Sequence, residues 1–155
     1  MSFQTRLRRF AYRCAHTALR GYWFLRRPRV DGVKCVLTSG EQILLVRHTY
    51  GRREWDLPGG AVKRGELPVS AAQREMHEEL GVEITDWISL GPMVGTAYHR
   101  RDSMHCFQAE LRQRELAIDR GELDAVAWFA RARLPDELSG YVPRILARVE
   151  ARRAA

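Results

Sequence analysis

Three glutamates close together are the residues of this sequence that point most directly to chemistry. Glu75, Glu78 and Glu79 stand within five consecutive positions, directly after Arg74. On a helix, at about 100° per residue, they share an arc of roughly 100°, and like charges at these spacings repel. Mg²⁺ is typically held by one or two carboxylates, substrate phosphates and water. The cluster therefore predicts a site for a hard divalent cation, although an isolated acidic run more often forms a solvated helix face.

The surrounding residues predict a helix that positions these carboxylates. Pro68 suits the first turn of a helix, and Gly81 suits its C-terminal cap. The segment Trp55–Gly60 is interpreted as a short apolar strand that runs into a glycine loop. Apolar residues recur at helical spacing on a face away from the glutamates: Val69, Ala72, Met76 and Leu80. The order predicts strand, glycine loop and helix, with the carboxylates on the side away from the core.

The segment from Gly60 to Val82 resembles the Nudix box, G-x5-E-x7-R-E-U-x-E-E-x-G-U, in which U is an apolar residue. All nine defined positions match: Gly60, Glu66, Arg74, Glu75, Met76, Glu78, Glu79, Gly81 and Val82. Seven of the nine demand one residue type, so a chance match in the chain is on the order of one in a million. Over about residues 32–138 the resemblance implies an α/β fold, the Nudix α/β/α sandwich with a mixed sheet.

The resemblance also implies an activity. Nudix hydrolases use Mg²⁺ or Mn²⁺ to cleave a nucleoside diphosphate linked to another group (NDP-X) into a nucleoside monophosphate and a phosphorylated product. Carried over, the implied metal ligands are the carboxylates of Glu75, Glu78 and Glu79 and the carbonyl of Gly59. Arg74 and Glu66 would orient these ligands, as metal sites require. Hydrolysis of a diphosphate needs charge neutralisation and an activated water, and bound metal ions supply both.

The position of the catalytic base stays open, because family members place it differently. Some use a glutamate of the box, and others use a carboxylate on a later loop. Glu122 lies six residues before Trp128, which resembles the placement of the late glutamate. The hypothesis is that Glu122 is a further metal ligand or the base, and a solvated loop acid fits equally well.

The substrate is not identified by the sequence, but several residues are candidates to contact it. Arg47 and His48 precede the box and are candidates to hold a phosphate, and Tyr50 and Trp55 are candidates to stack a base. Each also fits a surface or core role. Tyr98 lies 16 residues beyond the box, roughly where dinucleoside polyphosphate hydrolases of this family carry a tyrosine. Core packing explains that tyrosine equally well.

Charge divides the chain into residues 1–30 and residues 31–155, the second being the predicted Nudix hydrolase domain. Residues 1–30 carry eight arginines and no acidic residue, while the formal net charge of the chain is +7, so the remainder carries −1. Apolar residues of the first part recur every three or four positions, as in an amphipathic helix that ends near Arg27: Phe3, Leu7, Phe10, Cys14, Ala18, Tyr22 and Leu25.

Three interpretations of this basic amphipathic N-terminal helix remain open. It packs against the domain or across a homodimer with its arginines solvated, it binds an anionic membrane surface or nucleic acid, or it is a transit peptide. If such a partner defines the function, the chain is a Nudix-fold binding or regulatory module. The complete set of box glutamates favours the hydrolase.

The rest of the chain predicts a single α/β domain in the cytoplasm. Three cysteines without C-x-x-C spacing indicate reduced thiols, with Cys35 and Cys106 in the core. No apolar stretch approaches the roughly 18 residues that a membrane span needs. The predicted strands beyond the box are Gly32–Thr38 and Gln42–His48, which form a hairpin, and Ile88–Ala97, Met104–Leu111 and Ala125–Ala130. The predicted helices after them are Leu134–Leu138 and Val142–Arg152.

Overall fold

The computed structural model describes residues 3–26, 29–97, 100–112 and 115–154, which contain a five-stranded mixed sheet and three helices. In chain order the elements are α1 (Phe3–Arg26), β1 (Arg29–Ser39), β2 (Gln42–His48), α2 (Pro68–Leu80), β3 (Ile88–Ala97), β4 (Arg100–Glu110), β5 (Leu123–Ala130) and α3 (Tyr141–Ala154). The strand order across the sheet is β3-β4-β1-β2-β5. Strand β1 runs parallel to β4, and the other neighbours are antiparallel. None of these helices is long and apolar enough to cross a membrane.

Each face of the sheet is covered by one helix, which confirms the predicted sandwich. On one face, Cys35 and Leu44 pack with Met76 of α2. On the other face, Val36 and Leu45 pack against α3. Because the middle of β1 and β2 is covered on both sides, residues 35–37 and 43–46 are apolar without interruption rather than in alternation. The predicted hairpin between β1 and β2 is confirmed, as is the burial of Cys35 and Cys106.

Helix α2 has the predicted bounds but not the predicted orientation of every glutamate. Pro68 is its first residue, and Gly81 caps its end at φ 67° with its N–H donating to the carbonyl of His77. Val69 is partly exposed, whereas Glu79 is completely buried. The prediction that all three carboxylates point away from the core is therefore wrong for Glu79. It lies three residues after the buried Met76 and so shares part of the core-facing side of the helix.

Two short elements were predicted wrongly. Trp55–Gly60 forms isolated bridges rather than a strand, since Pro58 has no N–H to donate and Gly59 has a φ of 143°. Residues 134–138 are irregular rather than helical. Their backbone pairs with Trp55 instead, whose N–H donates to the Glu137 carbonyl at 2.7 Å. These long-range hydrogen bonds outweigh the weak helix-forming tendency of a five-residue segment.

The N-terminal helix α1 exists as predicted, but its polar face is the one that contacts the domain. The Arg8 guanidinium lies 2.6 Å from the Asp119 carboxylate, and the ring of Tyr12 stacks on Tyr50 with centroids 5.9 Å apart. The predicted packing with solvated arginines is therefore wrong in part, because Arg8 and Arg9 both pair with acids of the domain. The apolar positions that the sequence singled out between Phe3 and Tyr22 are all exposed.

Candidate metal centre and adjoining cavity

The glycine loop before α2 brings backbone close to two of the glutamates. The Gly59 N–H donates to Glu79 Oε2 at 3.1 Å. Gly60 lies directly against the Glu75 carboxylate, and a Cβ at this position would collide with it. Backbone hydrogen bonds from Val33 and Cys35 of β1 hold this loop at 2.9 Å each. The loop therefore needs glycine at both positions, because the carboxylates and β1 leave no space for side chains.

Arg74 ties Glu66, in the first part of the box, to Glu75 and Glu78. Its Nε and Nη2 donate to the two carboxylate oxygens of Glu66 at 2.9 and 3.0 Å. Its Nη1 reaches Glu75 Oε1 at 2.6 Å and Glu78 Oε2 at 3.2 Å. The hydrogen bonds from Arg74, and then the one from the Lys63 N–H, lower the pKa of Glu66 to about 2. The guanidinium thus fixes the orientation of three carboxylates through a geometry that a lysine could not reproduce.

A second group of side chains meets beneath the glycine loop. Glu79, Glu122 and His48 each place one potential ligand atom within 4.8 Å of the others. Glu122 comes from the loop before β5, and its Oε1 accepts a hydrogen bond from the Tyr50 hydroxyl at 2.9 Å. Glu78 lies outside this group, with 51% of its side chain exposed. The structure therefore adds His48 to the carboxylates that the sequence identified.

The electrostatics of this group are unfavourable without a cation. Burial raises the pKa of Glu79 well above its ordinary value, and the charge of Glu122 raises it further. Burial likewise raises the pKa values of Glu122 and Glu75. Lys34 is close enough to counter Glu79 in part, but its Nζ donates to Asp56 Oδ2 at 2.7 Å and to the Leu57 carbonyl at 3.0 Å. Without a cation, the charged forms of Glu79 and Glu122 are therefore disfavoured.

Two buried atoms of the group support a metal ion as the missing partner. Within the described ranges, Glu79 Oε1 and His48 Nδ1 are buried and have no hydrogen-bond partner. Burial, followed by the charge of Lys34, lowers the pKa of His48 to about 4, so its imidazole is neutral at pH 7 and has a free lone pair. A buried carboxylate oxygen without a partner is costly, and a divalent cation would satisfy both atoms. The residues present fit a divalent metal ion.

A cavity of about 430 Å³ opens beside this group. This volume lies within the range of small-molecule sites. His48, Gly59 and Gly60 line the cavity where it meets the carboxylates. The other residues that line it are Tyr12, Ala15, His16, Leu19, Val30, Gly32, Val33, Lys34, Tyr50, Gly51, Arg52, Glu54, Asp56, Ala61, Asp102, Met104, Ser139 and Tyr141. The wall therefore combines aromatic and apolar side chains with a few polar groups.

Tyr50 is the centre of an aromatic cluster in this wall. The ring centroids of Tyr12, His16 and His48 lie 5.9, 5.2 and 5.1 Å from that of Tyr50. Because its hydroxyl also donates to Glu122, Tyr50 links the cavity, the carboxylates and α1.

The structure brings together some of the predicted substrate-binding residues and not others. His48 and Tyr50 line the cavity, while Arg47 and Trp55 are not among its lining residues. Arg47 reaches the Asp124 carboxylate at 3.3 Å, and its guanidinium lies 5.2 Å from the centroid of the Trp55 ring. Tyr98 lies outside the described residues.

Sequence reasoning missed the contribution of α1 to the cavity. Tyr12 and His16 were not singled out as candidates, yet both line the cavity and contact Tyr50. The available signal was weak: two rings four residues apart, on the helix face opposite the apolar positions. That spacing is equally typical of two exposed side chains.

Comparison with known proteins agrees with the fold and the box. The chain matches the family model described as the NUDIX domain over residues 28–149. It is 35% identical over 106 residues to a putative 8-oxo-dGTP diphosphatase of Bacillus subtilis, an alignment that covers 64% of this chain and 65% of that relative. It is 50% identical over 42 residues to an ADP-ribose pyrophosphatase of Mycobacterium tuberculosis, covering 26% of this chain and 20% of the relative. The chain thus spans at most about two thirds of the length of these curated relatives.

Solved structures show the same architecture. A MutT NUDIX hydrolase from Burkholderia pseudomallei superposes with a TM-score of 0.72 and 25% identity, over 78% of this chain and 98% of the other. A MutT protein from Methanosarcina mazei superposes with a TM-score of 0.74 and 19% identity, over 84% and 99%.

Proposed function

This chain belongs to the Nudix family, and we propose that it is a metal-dependent pyrophosphohydrolase of a nucleoside diphosphate linked to another group. Water would add to one phosphorus and the bridging P–O bond would break, which gives a nucleoside monophosphate and a phosphorylated product. The observation that carries the proposal is the buried Glu79 beside Glu122 and His48, at the edge of the cavity. The names of the two relatives, a diphosphatase and a pyrophosphatase, support the reaction class.

The proposed metal site is built from the box and meets the second group of side chains at Glu79. We assign the carboxylates of Glu75, Glu78 and Glu79 and the carbonyl of Gly59 as ligands for Mg²⁺ or Mn²⁺. A bound metal ion would neutralise phosphate charge and lower the pKa of water. The paired hydrogen bonds with Glu66 hold the Arg74 guanidinium, which in turn orients Glu75 and Glu78. Within this site a single guanidinium faces three carboxylates, which leaves the site negative overall and suited to a divalent cation.

Glu122 is proposed as the base or as a further ligand. Its raised pKa, caused mainly by burial, favours proton uptake at a pH closer to neutral than for an exposed glutamate. The Tyr50 hydroxyl occupies Oε1, so Oε2 is the oxygen assigned to a water molecule or the metal.

The nucleoside is proposed to lie in the cavity and the diphosphate at its junction with the carboxylates. Tyr12, His16 and Tyr50 offer aromatic faces on which a base can stack. His48, Gly59 and Gly60 line the side of the cavity nearest the carboxylates, where the phosphates would approach the metal ligands. This placement would bring the scissile bond to the carboxylates and the base to the aromatic rings of the cavity.

A panel of nucleoside diphosphate derivatives, assayed with Mg²⁺, Mn²⁺ or EDTA, tests the activity. We expect a nucleoside monophosphate to be released with either metal and no turnover in EDTA, because the substrate phosphates need a cation next to the carboxylates. Chromatography of the products measures the reaction. Absence of turnover across a broad panel, both with and without metal, would contradict the proposal. It would favour a Nudix-fold binding module, for which the outward apolar face of α1 is the supporting observation.

Replacing Tyr12 with alanine tests the proposed role of α1 in substrate binding. We expect KM to rise about tenfold with little change in kcat, because one stacking surface for the base is lost. The matched control is Tyr22→Ala, on the same helix but exposed and away from the cavity, which should leave KM unchanged. A fall in kcat at constant KM would contradict the stacking role and indicate that Tyr12 acts through Tyr50 on Glu122.

A further inference from the structure

One face of helix α1 contacts the domain. Arg8 pairs with Asp119 at 2.6 Å, and Arg9 reaches Asp124 at 3.4 Å. The Arg9 Nε also donates to the Arg120 carbonyl at 3.0 Å. Together with the stacking of Tyr12, these contacts settle which side of the helix faces inward.

The opposite face of α1 is a continuous apolar surface, which we call the outer stripe. Its members are Phe3, Leu7, Phe10, Cys14, Ala18 and Tyr22. At about 100° per residue they occupy an arc of roughly 120°, centred opposite Tyr12 and His16. The four large members are 80%, 57%, 66% and 53% exposed: Phe3, Leu7, Phe10 and Tyr22. Isolated apolar residues on a surface are ordinary, but a stripe that continues over residues 3–22 of one helix marks an interaction surface.

A row of arginines borders the outer stripe. This arginine row consists of Arg6 and Arg13, which stand seven residues apart and are both exposed. At about 100° per residue, Arg6 lies roughly 100° and Arg13 roughly 120° from the centre of the stripe. No acidic residue occurs among residues 1–30, so nothing within the helix neutralises the row. An apolar stripe flanked by cations is the arrangement of helices that lie in the plane of a membrane interface.

We propose that the outer stripe docks this protein on an anionic lipid membrane. The apolar side chains enter the upper part of the hydrocarbon region, and the arginine row contacts the lipid phosphates. A nucleic acid would complement the arginines but leave the stripe in water. A second copy joined through the stripe would bring two arginine rows together without an acidic partner on either helix. The membrane satisfies both the apolar and the charged part of the surface.

This docking does not require α1 to leave the domain. The ion pairs of Arg8 and Arg9 and the stacking of Tyr12 lie on the inward face, away from the outer stripe. The proposal is therefore independent of whether the cavity hydrolyses nucleotides.

Co-sedimentation of the full chain with lipid vesicles tests the apolar part of the surface. We expect binding to vesicles of phosphatidylcholine mixed with phosphatidylglycerol and little binding to phosphatidylcholine alone. The double variant Leu7→Gln with Phe10→Gln should lower the partition coefficient roughly 100-fold, because two large apolar side chains no longer enter the lipid. The matched control is Val94→Gln, which changes another exposed apolar residue on β3 and should leave binding unchanged.

A variant with fewer arginines tests the charged part of the surface. Removing Arg6 and Arg13 by substitution with glutamine should lower binding to the anionic vesicles about 30-fold, since each arginine near the surface contributes about fivefold. Arg133→Gln with Arg152→Gln gives the same net charge from two exposed positions elsewhere and should bind like the wild type. Binding should also fall as salt is raised.

Three outcomes would overturn the proposal. In the first, the wild-type protein binds a single-stranded RNA oligonucleotide but neither kind of vesicle, which would make the partner a nucleic acid. Another is a dimer without lipid that the Leu7 and Phe10 changes dissociate, which would join two copies through the stripe. The third is equal vesicle binding by all variants. Circular dichroism of each variant, expected to match the wild type, separates lost docking from lost folding.

Discussion

Replacing Glu79 with glutamine is expected to lower kcat on the order of 10³-fold or more without destabilising the protein. Glutamine keeps the shape of the side chain and an oxygen that can accept the Gly59 N–H, but it removes the charge that we assign to the metal. Steady-state kinetics in Mg²⁺ measure the loss. Chemical denaturation in EDTA measures the stability of the same variant.

The stability expectation follows from the direction of the Glu79 pKa shift. Burial and the charge of Glu122 raise this pKa above its ordinary value of 4.5. The contribution of the group to stability is therefore complete below pH 4.5 and is lost as the pH rises through the raised value. At pH 7 without metal, the Glu79→Gln protein should be at least as stable as the wild type. Added Mg²⁺ or Mn²⁺ should raise the Tm of the wild type more than that of the variant.

Glu122→Gln serves as the comparison, because it separates a base from a ligand. If Glu122 is the base, the Glu122→Gln variant should have a low kcat but should still be stabilised by metal as the wild type is. If Glu122 is a metal ligand, the variant should lose both its activity and its stabilisation by metal. Wild-type turnover by Glu79→Gln would contradict the assignment of this buried carboxylate and place the metal elsewhere. Because Glu79 and Glu122 belong to the same cluster of side chains, the effects of the two substitutions are not expected to be additive.

The part of the site that lies within the box could be read from the sequence, because its geometry is local. One helix, its Pro68 start and its Gly81 cap set the spacing of the glutamates. The position of His48 could not be read in this way, since it lies in a different strand. Its place depends on the register of β2 against β5, in which His48 pairs with Leu123 and so brings Glu122 close. Glu79, which the helix pattern alone had assigned to the surface, is completely buried and accepts a hydrogen bond from the Gly59 N–H, a contact between residues 20 positions apart.

The orientation of α1 shows a different limit of sequence patterns. Its apolar positions were recognised correctly, but the usual rule that such a face turns inward did not hold. The inward face is decided by partners that lie far away along the chain, namely Asp119, Asp124 and the ring of Tyr50. A surface ion pair such as the one of Arg8 contributes little by itself. The outward stripe is therefore better explained by a further partner than by the stability of the isolated chain.

Gly59→Ala is expected to destabilise the protein by about 3–5 kcal/mol. Gly59 has a φ of 143°, and a Cβ there would lie 2.9 Å from the Val33 carbonyl carbon and 3.2 Å from the Lys34 Cα, besides colliding with the Val33 oxygen. Both neighbours are backbone of the central strand β1, which cannot swing aside as a flexible side chain can. Urea denaturation of the two proteins in EDTA measures the difference.

The matched control is Gly40→Ala, which separates backbone strain from lack of space. Gly40 also has a positive φ, 57°, but a Cβ there would meet nothing within 4 Å. We expect this variant to lose only about 1–2 kcal/mol. Equal stability of the two variants would contradict the close approach of the loop to β1. Because any shift of Gly59 also moves its N–H away from Glu79, the loss of stability at Gly59 should be accompanied by a loss of turnover, and the loss at Gly40 should not.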